Sequence, residues 1–346
     1  MFQSKTLIVV GAGASKEARL PTGNELTATI ASKVDIRFSE FSGQSSGDHE
    51  ITAALKSHAT DVDRQPGVIN PYLHACRRIR DAMPLAISID SFIEDHQGDE
   101  KIELCGKLAI VQSILEAERK SFLFFDHHKR DAKPDFNTLQ DTWYNTFMKL
   151  LTERCRKENI SQRLEDVSFI IFNYDRCIEH FLFYALQIYY GIETTEAARL
   201  MRELKIFHPY GIVGHLPWQA AEDDTPFGDN CSSRELLSIA GQIKTYTERI
   251  EDEATLTAIR QAVQDAEIVV FLGFAFHQQN MELIKPEQPT NVKRIFATAW
   301  DISDSDCLII TNQIFDIFRA GPQVDLRNDL TCHGLFKEYW RSLSLS

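Results

Sequence analysis

Apolar positions along this chain come in two rhythms. The run TLIVV at 6–10 is continuous, as expected of a strand covered on both faces in a parallel sheet, and it leads directly into GAGAS at 11–15. Further apolar runs follow at 167–172 (VSFIIF), 204–207 (LKIF), 267–272 (EIVVFL) and 294–297 (RIFA). Between them apolar residues recur every three or four positions, which predicts helices over 21–34, 176–190, 195–204 and 254–266, and a further one over 303–318. From about 50 to 165 strand signals nearly vanish, and successive segments all carry helical spacing. Residues 39–50 are rich in Ser and Gly and read as an exposed loop. The acidic, polar stretch 219–252 reads as a surface excursion.

Strands alternating with helices predict an α/β fold with a Rossmann-type parallel sheet and helices on both faces. The strand-poor middle predicts a largely α-helical insertion. On this pattern residues 1–48 and 166–346 make the core, and residues 49–165 an insertion forming one wall of a cleft.

Composition narrows the class. Among 346 residues, 37 are Lys or Arg and 50 are Asp or Glu, a formal net charge of −13 that argues against binding nucleic acid through phosphate contacts. Seven cysteines, an odd number without a CxxC, argue against a disulfide framework, so a reducing cytoplasm is the expected compartment. No CxxC pair announces a zinc site, and no metal is expected. The most membrane-like run, FLFYALQIYY at 181–190, falls short of the about 20 residues that span a bilayer.

Ligands bind beyond the carboxyl ends of parallel strands, so the residues after each apolar run bear on function. The first run is followed by Gly11-Ala12-Gly13-Ala14-Ser15, and the second by Asn173-Tyr174-Asp175. The third is followed by His208-Pro209-Tyr210-Gly211, and the fourth by Gly273-Phe274-Ala275-Phe276. Two glycines at a strand-to-helix turn let backbone N–H groups close on an anion, although they also suit a purely structural turn. The dehydrogenase fingerprint GxGxxG fails, because Lys16 stands where its third glycine belongs. Asp35, at the distance of a ribose-binding acid, then reads as a solvated surface residue. Asn173 and Asp175 either bind a ligand or cap the helix that follows. His208 suits a general base, or a strand-end histidine bonded to backbone. His215 lacks a third ligand for a metal site, His127 and His128 read as solvated, and the rings of Phe274 and Phe276 read as core. Asp90 reads as a helix cap or as a late contributor to the pocket, and His277 either as a helix-start residue or as one reaching the adenine-side phosphates.

In order and position these four strand ends resemble the sirtuin family, especially the NAD-consuming sirtuin-type domains of bacterial anti-phage defence proteins. That family places a GAG-x-S turn, an N-x-D, a histidine followed by glycine and a late glycine turn in the same succession. The resemblance covers residues 1–34 and 167–300, and the helical 50–165 is similar to the variable part of the defence proteins. It implies an NAD+ glycohydrolase that cleaves NAD, its substrate, to nicotinamide and ADP-ribose, linear or cyclised. Gly11, Ala12, Gly13, Ser15, Asn173, Asp175, Gly273 and Phe274 would bind NAD, with Asn173 and His208 catalytic. Asn173 would hold the ribose or the attacking water, Asp175 the carboxamide, and His208 would take a proton. A cell must restrain such an activity, which implies a homo-oligomer or a separate sensor or ATPase subunit as the gate.

Departures from the family are informative. The two cysteine pairs of the deacetylases' zinc module are missing, and Leu20-Pro21-Thr22-Gly23-Asn24 replaces their P-D-F-R segment. Pro209 and Tyr210 separate His208 from Gly211. Acetyl-lysine peptide binding is therefore in doubt. The alternatives are a non-catalytic sensor of NAD or ADP-ribose, and a protein deacylase or ADP-ribosyltransferase.

Overall fold

The computed structural model describes residues 4–39, 43–62, 64, 68–130, 132–219, 224–250, 252–319 and 321–345. Its strands, in chain order, are β1 (Thr6–Val10), β2 (Arg37–Ser39), β3 (Gly43–Ser46), β4 (Val167–Ile171), β5 (Lys205–Phe207), β6 (Ile268–Leu272), β7 (Arg294–Thr298) and β8 (Gln323–Arg327). Six of them form one parallel sheet in the order β5-β4-β1-β6-β7-β8. Numbered within the sheet alone, that order is 3-2-1-4-5-6, the doubly wound arrangement of Rossmann-type folds. Helices flank it, and the α/β class expected from the sequence is the fold observed. Central β1 runs in register with β4 (Val10↔Ile171) and β6 (Val10↔Leu272). Every residue of β1 and β6 is buried, which is why both read as unbroken apolar runs.

Two features depart from the expected pattern. The Ser/Gly-rich stretch holds β2 and β3, a short antiparallel hairpin; residues 40–42 of that stretch lie outside the described residues. The polar stretch 219–252 is no surface excursion. It carries helices Ser233–Ala240 and Tyr246–Ile250, and buries Leu236, Ile239, Ala240 and Ile243, the first of these helices packing on helices His49–Asp61 and Glu100–Lys120. Residues 220–223 and 251 lie outside the described residues.

The chain divides into two compact units. One, containing the sheet, comprises Met1–Arg19, Ser121–Pro209 and Ile250–Ser346; the other, helical apart from the hairpin, comprises Leu20–Lys120 and Tyr210–Arg249. These boundaries differ from the expected 49 and 165, and packing explains why. Helix Gly23–Lys33, started by a Thr22/Glu25 capping box, lies against helix Glu100–Lys120 and so joins the helical unit. Helix Trp143–Thr152 packs on helices Cys177–Tyr190 and Cys332–Glu338 and so joins the sheet unit. No helix of the described residues is long and apolar enough to cross a membrane.

Candidate active site

The order of the sheet reverses between β1 and β6, the place where doubly wound folds bind ligands. Both glycine turns lie there, and they lie against each other. Gly11 N–H donates to Leu272 O at 2.9 Å, and Gly13 N–H to Gly273 O at 3.0 Å. A Cβ on Gly11 would stand 2.5 Å from Gly273 O, and one on Gly13 would stand 2.9 Å from Gly273 Cα. Gly273 has φ +54°, and its Cβ would fall 2.0 Å from Ala14 N. These glycines thus allow two backbones to touch. The direction in which Gly13 lacks a side chain is filled by Gly273, so space for a phosphate is not what requires glycine there. Ala12 opens the short helix Ala12–Ser15. Phe274 is buried against Phe172 and Phe271, ring centroids 5.1 and 5.5 Å apart, so its ring belongs to the core.

Next to this turn sits a closed polar cluster. Asn173 Nδ2 lies 3.1 Å from Gly11 O, 2.9 Å from Ser15 Oγ and 3.1 Å from Asp175 Oδ2. Ser15 Oγ donates to Asp175 Oδ2 at 2.7 Å, and Asp175 Oδ1 accepts from Cys177 N–H at 3.1 Å, capping the helix Cys177–Tyr190. Ser15, Asn173 and Asp175 are all buried, so each polar atom needs such a partner. Tyr144 borders the cluster and was not singled out from the sequence. Burial pushes its phenol well above the ordinary range, and nearby Cys177 and Asp175 push the same way. Its hydroxyl reaches no partner at hydrogen-bonding geometry.

His208 follows β5 as Asn173 follows β4, and these strands are neighbours with Ile170 opposite Phe207. Its Nε2 lies 2.5 Å from Glu179 Oε1, and the side chains are 12% and 3% exposed. His208 Nδ1 and Glu179 Oε2 are buried without partners. Glu179 escaped the sequence reading because it lies in CIEHFLFYAL, an apolar stretch with the look of a core helix. One acid in such a stretch was the available signal. The adjacent His180 is buried, its Nε2 3.2 Å from Leu123 O and its ring stacked on Phe125. Burial first, then His127 and Arg176, holds it well below the ordinary imidazole range.

All the expected site residues fall in the sheet unit. Gly11, Gly13, Ser15, Asn173, Asp175 and Gly273 are joined by direct contacts, with Ala12 and Phe274 in the same two turns; His208 pairs with Glu179. Other expectations fare variously. Asp35 is bonded to Arg80 and Arg37, and His127 packs its ring against Phe125 instead of standing free in solvent. The helix Ile89–Asp95 is capped by Ser88 and not by Asp90, whereas His277 does start a helix. Among the described residues no group of three or more His, Cys, Asp or Glu could hold a metal ion. A groove of about 550 Å³ in the helical unit, lined in part by Thr29, Ser32, Lys33, Asp48 and Glu116, shares no residue with this site. Its only cation, Lys33, is already paired with Asp48 and Glu116. The strand-end chemistry therefore outweighs the groove as the functional candidate. Compared with known proteins, the chain matches no family model and no curated protein.

Proposed function

We propose that the chain is an NAD+ glycohydrolase that releases nicotinamide and ADP-ribose, an NAD-depleting effector of the kind used in bacterial anti-phage defence. The resemblance of GAGAS, NYD, HPYG and GFAF supplies the substrate. The observation that carries the reading is the placing of Asn173 and His208 at the carboxyl ends of neighbouring strands, with His208 set on a buried carboxylate. Nicotinamide leaves readily because its ring nitrogen is cationic while bonded to the ribose. The protein then has to hold the ring, stabilise an oxocarbenium-like ribose and position water. Asn173 directs Nδ2 inward, which leaves Oδ1 to accept from a ribose hydroxyl or the water. Asp175 is engaged through both oxygens and serves to fix Asn173. His208 accepts the proton.

One observation favours a second reading, a non-catalytic sensor of NAD or ADP-ribose: Ser15, Asn173 and Asp175 satisfy one another. Purified protein incubated with NAD, with and without an acylated peptide, separates the readings. Nicotinamide and ADP-ribose released without peptide support the hydrolase. Binding without release supports the sensor, and release only with peptide points to a deacylase or transferase. Gating by self-association, or by a separate sensor or ATPase subunit, belongs to the same proposal.

A further inference from the structure

The pair formed by His208 and Glu179 has a consequence for which nitrogen does the chemistry. This step rests on the hydrolase reading for its reaction, but the geometry behind it does not. We infer that Glu179 is the positioning residue for His208: it accepts a hydrogen bond from Nε2–H, fixes one ring tautomer, and leaves Nδ1 as the basic atom. A carboxylate accepts and does not donate, so Glu179 Oε1 at 2.5 Å from Nε2 requires the proton on that nitrogen. In the neutral ring the lone pair then lies on Nδ1, which has no partner. Rigid surroundings hold the pair in place. Glu179 is 2% exposed in the first turn of helix Cys177–Tyr190, and that helix is anchored at its start by Asp175.

In the reaction Nδ1 takes a proton from water as the water oxygen bonds to the ribose C1′. The C1′–N bond breaks, and its electron pair neutralises the nicotinamide ring nitrogen. The imidazolium keeps Nε2–H on the Glu179 carboxylate, which balances its charge, and later returns the extra proton to solvent. Atoms balance as NAD+ and water giving nicotinamide, ADP-ribose and a proton.

Glu179→Gln tests this with almost no change in shape. A Gln can donate to Nε2 and thereby favour the opposite tautomer, with the proton on Nδ1. Histidine-selective ¹⁵N NMR, with the His208 signals assigned through a His208→Gln variant, should show protonated Nε2 and bare Nδ1 in the wild type. Glu179→Gln should reverse this and lower kcat roughly 100- to 10,000-fold with KM little changed, and Glu179→Asp should restore part of the rate. Should NAD go uncleaved by the wild type while the tautomer reverses in Glu179→Gln, the hydrolase reading falls and the role of Glu179 stands. A wild-type ring protonated on Nδ1, or a folded Glu179→Gln enzyme with unchanged kcat, would overturn the inference.

Discussion

Asn173 shows how one side chain can serve fold and chemistry together. Its amide donates toward a backbone carbonyl, a serine and an aspartate, all buried, so its removal takes one donor from each of them. Asn173→Ala should therefore lose stability, by about 1–3 kcal/mol in urea unfolding, as well as nicotinamide release. Burial of 93% of its surface could not be read from NYD, because it depends on Ser15 and Gly11 arriving from a distant part of the chain. His180 gives a second expectation. Its folded form is held neutral well below the ordinary 6.5, so unfolding frees an imidazole that takes up a proton once the pH drops under that value. The stability this neutral group contributes is present above 6.5 and is lost as the pH falls below it, with a limiting slope of about 1.4 kcal/mol per pH unit. Denaturation between pH 7.5 and 5.5 should accordingly show a steeper loss in the wild type than in His180→Gln.

At the scale of elements, the strands with continuous apolar runs were legible, and those without were not. β1, β4 and β6 are central or nearly so and buried, and their sequences say so. β8, QVDLR, is an edge strand whose polar residues need not be covered, and β2 and β3 carry mostly polar side chains on a short hairpin. The glycine turns were found, but their partner was hidden, since only the folded sheet brings the end of β6 onto the end of β1. The contact predicts a clear contrast. Gly273→Ala adds a Cβ 2.0 Å from Ala14 N at a positive φ, and should cost about 3 kcal/mol or more. Gly23→Ala, at a helix start with nothing within 4 Å, should be neutral or stabilise by about 0.4–1 kcal/mol. Urea midpoints of the two variants compare them directly.

For the whole molecule, the alternation of strands and helices was enough to predict the class of fold, whereas the division into units was not. Helices that follow one another in sequence went to different units according to which apolar faces met. The helical stripes of the 50–165 region are largely covered: helix Glu100–Lys120 alone buries Ile102, Leu108, Ile110, Val111, Ile114 and Leu115. Large exposed apolar residues occur in both units, at Leu85 and Ile87 in the helical one and at Trp300, Leu308, Ile309 and Phe315 in the one with the sheet. If self-association or a partner gates the proposed activity, light scattering at micromolar concentration should show an assembly, or NAD cleavage should require an added partner. A stable monomer active alone would remove the gate from the account. The central claim is tested most directly by nicotinamide release from NAD, measured for the wild type and for His208→Ala of verified fold under the same conditions. The account predicts sustained release by the wild type, with ADP-ribose formed in equal amount, and loss of turnover in the variant. Equal turnover by both proteins would contradict it.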